Sequence, residues 1–263
     1  MKKFITNKIV LYILGFLFLL GLWFIVSACI DKNSMIFPNP ITTFARMFQF
    51  LGIGDTYRYL GFSVLRLLIG FVISLVAAFL LGMLVNNNEH LYNFFTPLMT
   101  FFKAAPTATF VFLFIILIGA KNAPVFVVFT VTMPILYESI VGAFRNTDKA
   151  VLAAAQIDGA SRFKAMIKVQ IPLGIPVISI GVASTFAMAF KIEIMAEIIT
   201  GFTNGGLGSM IHNSQVVNPT DLTDMFAYSL MAIILVLIIT ILTSVLKNKT
   251  KPVKLHRREY SAQ

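Results

Sequence analysis

An all-helical integral membrane fold is what this sequence predicts, and three observations predict it. Of 263 residues, 58% are hydrophobic and 12% charged, a balance that leaves too little polar surface for a soluble domain of this size. Six apolar runs are long enough to cross or nearly cross a bilayer, given a hydrocarbon core of about 30 Å and a helical rise of about 1.5 Å per residue. The basic residues, finally, are distributed unevenly between the connections, as topology requires of a multi-pass chain.

The first run, Ile9 to Ile30, follows a basic start and ends in Val26-Ser27-Ala28-Cys29, which is similar to a lipoprotein cleavage box. Its apolar stretch exceeds the roughly 7 to 15 residues of a cleavable leader, so residues 1–36 are expected to be a retained signal-anchor helix and its flank. Residues 37–60 form an external amphipathic segment. Phe37-Pro38-Asn39-Pro40 interrupts any helix because each proline fixes φ and disfavours helix in its predecessor. Ile41, Phe44, Met47, Phe48 and Leu51 then recur at helical spacing, which predicts a short packing helix at the outer surface.

Residues 61–246 make the core. Its spans are Leu67 to Val85, Ala104 to Ala120, Ala123 to Phe144, Leu173 to Phe190 and Met225 to Leu246. The third begins with Lys103-Ala104-Ala105-Pro106, shortly after Pro97, so a bend is expected there; such breaks persist in membranes only where protein or water satisfies the freed backbone groups. Residues 247–263 are a basic tail.

Charge completes the topology. The 21 basic against 11 acidic residues need no nucleic-acid partner, because no basic face of a folded surface carries them. Fourteen lie at the N-terminus, between the fourth and fifth spans, and in the tail, whereas Lys32, Arg46, Arg58 and Lys121 are the four on the other side. Both termini and the 146–172 loop are therefore expected on the cytoplasmic side of the membrane. Arg66 and Lys103 most simply anchor span boundaries. Cys29 is the single cysteine and cannot form an internal disulfide.

The 146–172 loop carries the most information. Thr147 or Asp148 can cap a helix running through Ile157, and Gly159 can take the left-handed conformation that ends it. Ser161 can cap a second helix, which Pro172 is expected to stop. On that helix Phe163, Met166 and Ile167 form an apolar face, with Lys164 and Lys168 on another. An amphipathic helix-turn-helix between two spans must cover something, and a cytoplasmic protein is the natural partner.

This loop resembles the signature of permease subunits of binding-protein-dependent ABC importers, which reads Glu-Ala-Ala, three residues, Gly, nine residues, Ile-x-Leu-Pro. Ala154, Ala155, Gly159, Val169, Ile171 and Pro172 fit that pattern, while Ala153 stands in place of the usual glutamate. The resemblance continues through Phe37-Pro38-x-Pro40, Ser63-Val-Leu-Arg66 with Gly70, Pro106 followed by Gly119, Ala196-Glu197 and Gly206-Leu207-Gly208. Phe112 departs from a usual proline. It points to the subgroup that imports nitrate, sulfonates, taurine, bicarbonate or pyrimidine precursors, and uncharged vitamins fit it too. The implied fold is a type I importer permease of six transmembrane helices with one extra N-terminal helix. The implied partners are a second copy of the permease, a cytoplasmic ABC ATPase dimer, an extracytoplasmic solute-binding protein and the lipid bilayer, and the implied location is the bacterial plasma membrane.

The chain itself is expected to be noncatalytic. Gly-Lys, the core of a phosphate loop, never occurs, so ATP and Mg belong on the partner ATPase. His90, His212 and His256 are isolated and suggest no metal site. Ionisable groups at membrane depth are costly unless paired, hydrated or interfacial. Lys191, with Glu193 and Glu197, therefore either lines the solute pathway, pairs with Glu197 or another acid, or reaches the outer interface; Pro106 is a further pathway candidate. Glu138 is a gate residue or a partner for Arg145. Two other classes compete: an ion-coupled secondary transporter using Lys191, Glu193 and Glu138, and a noncatalytic membrane assembly protein.

Overall fold

The computed structural model describes residues 8–30, 37–201 and 205–249. Lys2, Lys3, Lys32 and most of the basic tail lie outside them. Every regular element among the described residues is helical: α1 (Lys8–Cys29), α2 (Pro40–Leu51), α3 (Gly54–Asn86), α4 (Glu89–Ala104), α5 (Thr107–Ile118), α6 (Ala123–Arg145), α7 (Lys149–Ile157), α8 (Arg162–Ala165), α9 (Ile171–Thr200), α10 (Leu207–Val217) and α11 (Thr223–Lys249). A π turn, Met166–Gln170, joins α8 to α9. Among these residues, α1, α3, α6, α8 through α9, and α11 are long and apolar enough to cross a membrane. A sixth span requires α4 and α5 to count as one, and they meet at 96°.

The bend falls at Ala105 and Pro106, where the sequence placed it. Two boundaries differ from the spans read in the sequence. The stretch after Asn86 is helix from Glu89 onward, because the Asn88 side chain accepts from the backbone N–H groups of His90 and Leu91 and so satisfies the first orphan donors. The fifth span does not end at Phe190. It runs to Thr200, so Lys191, Glu193 and Glu197 sit inside a helix.

Two compact units divide the chain. The first comprises Met1–Arg66, Val111–Pro124 and Glu193–Leu235. Asn39 caps α2 through the N–H groups of Ile41 and Thr42, with Pro40 at its first position, where a missing N–H costs nothing. Thr43, Met47 and Phe50 are the buried face of α2, while Ile41 and Phe48 are exposed. The expected stripe is thus split, and part of it faces outward. Phe50 stacks on Tyr228 at 4.3 Å, and Arg46 lies 4.8 Å over Phe50 while bonding Asp224. The Asp224 carboxylate holds the Arg46 guanidinium above its ordinary pKa. Trp23 of α1 donates to the Pro38 carbonyl at 3.1 Å.

The second unit comprises Leu67–Phe110, Val125–Ile192 and Val236–Gln263. Its core is built from Leu67, Ala78, Val128, Ile140, Phe144 and Phe190, all buried. Small residues let the helices approach closely, as membrane packing favours: a Cβ on Gly70 would sit 2.7 Å from the Val125 carbonyl oxygen. Thr132 donates to Ser74 at 2.7 Å and Ser74 to the Phe129 carbonyl at 2.9 Å, so these buried hydroxyls are satisfied. Lys103 is paired with Glu138 at 2.6 Å and Arg145 with Glu89 at 3.0 Å. Glu138 is therefore not the partner of Arg145, and Lys103 is more than a boundary anchor.

Candidate functional site

The loop of the second unit forms by local rules. Asp148 caps α7 through the Ala150 N–H, and Gly159 has φ +82°, the left-handed region that costs a residue with a Cβ. Ser161 caps α8 through the Lys164 N–H. Pro172 does not stop the second helix. The π turn before it lets Ile171 donate to the Met166 carbonyl, five residues back, and this widened ladder absorbs the proline that would otherwise break an i to i−4 pattern.

Around that loop the side chains divide sharply. Ala165, Met166 and Gln170 are buried. Gln170 accepts from Asn86 at 2.7 Å and donates to the Phe144 carbonyl at 3.1 Å, tying the π turn to the ends of α3 and α6. Ile157, Phe163 and Ile167 are exposed, at 85%, 60% and 45%. The expected apolar face is thus divided: Met166 turns inward, and Phe163 and Ile167 stay open. Ala153, Ala154, Gly159 and Pro172 are exposed, Ala155, Val169 and Ile171 partly so. A polar cavity of about 230 Å³ beside the loop is lined by Asn86, Asn87, Gln156, Arg162 and Gln170 among others.

In the first unit, a second cluster gathers residues that the sequence left apart. Arg66 Nη1 donates to Glu197 Oε1 at 2.7 Å and to the Gly205 carbonyl at 2.6 Å. Ser63 Oγ donates to Glu197 Oε2 at 2.7 Å, and the Gly208 N–H reaches the same oxygen at 2.9 Å. The Leu207 N–H donates to Ser63 Oγ at 2.8 Å. Gly206, the N-cap of α10, has no side chain to cap with; Glu197 and Ser63 supply the acceptors from other helices, and the carboxylate suits the positive end of the helix. A Cβ on Gly208 would lie 2.5 Å from the Ile194 carbonyl oxygen, so close approach requires glycine.

These contacts correct two expectations. Arg66 is the partner of Glu197 rather than a boundary anchor, and the Glu197 side chain is fully buried in that pair. Lys191 does not pair with Glu197; it is exposed and has no carboxylate within ion-pair distance among the described residues. Glu193 is fully buried, and neither of its oxygens has a hydrogen-bond partner. Pro106 is exposed at the bend between α4 and α5. Gly205 was not singled out in the sequence, and the pairings of Ser63 and Arg66 could not be read there, because their partners lie 131 to 144 positions away.

Comparison with known proteins places these arrangements in context. The sequence pattern of the family described as "Binding-protein-dependent transport system inner membrane component" matches residues 70–251. A probable ABC transporter permease protein of Brucella melitensis is 25% identical over 210 residues, covering 78% of this chain and 82% of that protein. A riboflavin transport system permease protein of Chloroflexus aurantiacus is 27% identical, covering 68% and 66%. Among solved structures, a chain of the MetNI methionine ABC transporter in an inward-facing conformation superposes with a TM-score of 0.61 at 16% identity, covering 76% of this chain and all of that one.

Proposed function

Since this chain belongs to the binding-protein-dependent transport system inner membrane components and is an ABC importer permease, we propose that two copies form the pathway of an ATP-driven importer. A dimer of cytoplasmic ATPase subunits binds the 146–172 loops, and an extracytoplasmic binding protein delivers the solute. The chain does no chemistry; ATP and Mg are held by the ATPase. Both termini are cytoplasmic. The observation that carries this reading is the loop itself, a capped helix-turn-helix whose Gly159 has φ +82° and whose Ile157, Phe163 and Ile167 are exposed. Exposed apolar side chains on a polar connection favour a protein partner over water. Ala153 offers that partner a methyl group where the family's acid would offer charge, so docking here rests on apolar contact and on Lys164 and Lys168.

The solute class is a small anion of the nitrate, sulfonate or pyrimidine-precursor type. Lys191 supports it: an exposed, unpaired ammonium within a transmembrane helix has its cost lowered by a hydrated path and a passing anion. Glu197 and Glu193 serve the pathway indirectly, through the packing of α9, and Pro106 through the bend beside it.

Purification of the tagged chain in mild detergent should bring down the ATPase, and the ligand of the binding protein encoded or purified with it should be an anion by mass spectrometry. Lys191→Met should lower uptake severalfold with membrane abundance and ATPase binding retained. Uptake that follows an ion gradient without any ATPase would overturn the proposal in favour of a secondary transporter.

A further inference from the structure

The polar cavity of the second unit is not used by the docking surface described above. It has a volume of about 230 Å³ beside the end of α3 and the loop helices, and none of its lining residues is acidic. Two of its polar side chains are already engaged. Asn86 donates to Gln170 at 2.7 Å, and Gln170 donates to the Phe144 carbonyl at 3.1 Å, so together they make a fixed wall. Two others bring donors with little to bond. Asn87 Nδ2 reaches the Met166 thioether at 3.8 Å, and a thioether is a weak acceptor. Arg162 carries a full fork of N–H donors and has no carboxylate within ion-pair distance among the described residues. Gln156 adds an amide from α7.

We propose that this cavity is an oxyanion site, in which Arg162 grips a phosphate, sulfate or carboxylate group and Asn87 and Gln156 donate to its remaining oxygens. Charge decides the ligand class. A lining of one guanidinium and no acid repels a cation, and an apolar ligand would strand the amides. The planar guanidinium fork matches two oxygens of an oxyanion. Size agrees, because the volume equals about eight molecules of liquid water, room for a small oxyanion with part of its hydration. Position separates the site from protein docking. Ala165 lines the cavity, and Phe163 lies two positions before it, about 160° away around the helix. A protein seated on the exposed Phe163 and Ile167 therefore lies across α8 from the Ala165 wall. A bound oxyanion joins α8, α7 and the end of α3, so its occupancy sets how firmly the loop is held. The consequence for coupling rests on the importer reading proposed above; the site itself does not.

The test needs neither ATPase nor transported solute. The purified full chain in mild detergent is melted in inorganic phosphate and in chloride at equal ionic strength, with phosphatidylglycerol added in a separate arm. Phosphate should raise the melting temperature saturably, by about 5 °C at about a hundredfold excess over its dissociation constant. Arg162→Gln should remove that rise and Arg162→Lys should keep part of it, each variant being compared with itself in chloride. A second measurement leaves Arg162 in place. A Leu152→Cys thiol on the cavity wall, in a Cys29→Ser background, should react severalfold more slowly with maleimide in phosphate, whereas Ile157→Cys, at a position 85% exposed and outside the lining, should keep its rate. A shift and protection produced by phosphatidylglycerol but not by phosphate assign the oxyanion to a lipid headgroup held in the same site. Melting and labelling that are the same in phosphate, chloride and lipid, a shift that survives Arg162→Gln, or equal protection of both thiols overturns the site. Failure of the parent chain to capture an ATPase is a separate result and bears only on the importer reading.

Discussion

At the carboxylate of Glu197 three donors converge from α3 and from the start of α10, and the energetic consequences are unequal. Arg66→Leu strands a buried anion and should cost about 3 to 5 kcal/mol, read as a fall in detergent melting temperature. Ser63→Ala removes a neutral donor and an acceptor and should cost about 1 to 3 kcal/mol. The combined Arg66→Leu, Glu197→Leu variant should recover much of the Arg66→Leu loss, because neither member of the pair is left facing an absent partner; a double variant less stable than both single ones would show that the pair is not what holds the site. The sequence displayed these residues without their pairing. Lys191 looked like a partner for Glu197, but six positions at about 100° each put them on different sides of α9, whereas Arg66 lies 131 positions away. Long-range pairing of this kind has no local signature. The local signature that did exist was the cost of two acids in an apolar run, and it correctly marked Glu193 and Glu197 as residues needing an account.

At the scale of elements, caps and turns were legible because they obey short-range chemistry. Asp148, Gly159 and Ser161 take the roles their side chains dictate. Nothing lies within 4 Å of a Cβ built on Gly159, so the cost of substitution there is conformational alone. Gly159→Val should destabilise the turn by about 1 to 2 kcal/mol and reduce ATPase capture in a pull-down. Gly159→Asn, which tolerates positive φ, should retain most of it; equal capture by both variants would remove the turn from the coupling mechanism. The continuation of α8 into α9 was not legible, because proline signals a stop and a π turn that accommodates it has no sequence mark. Gln170 is the residue that fastens this turn. Gln170→Leu should loosen it by about 1 to 3 kcal/mol through the unpaired buried groups left behind, and faster backbone amide exchange across 166–170 is the measurement.

For the molecule as a whole, hydropathy identified the spans that are continuous and charge supplied an orientation. Single cysteines at Ser161 and Val217, both exposed, should be labelled from opposite sides of the membrane in a Cys29→Ser background. Labelling of both by the same impermeant reagent from outside would overturn the orientation argued from fourteen against four basic residues. The third span was the hardest to read, and its 96° bend bears on how the protein is made. Its arms have 16 and 12 residues, about 24 Å and 18 Å of helix, so neither alone matches a hydrocarbon core of about 30 Å. A nascent chain that has emerged only to Ile118 presents the insertion machinery with no segment here that partitions by itself. Stable integration must wait for α6, which brings Glu138 to Lys103. Ribosome-bound chains ending at Ile118 should leave residues 89–118 extractable or accessible to aqueous reagents, and chains extended past Arg145 should protect them, so the order of synthesis is part of how this bend enters the bilayer.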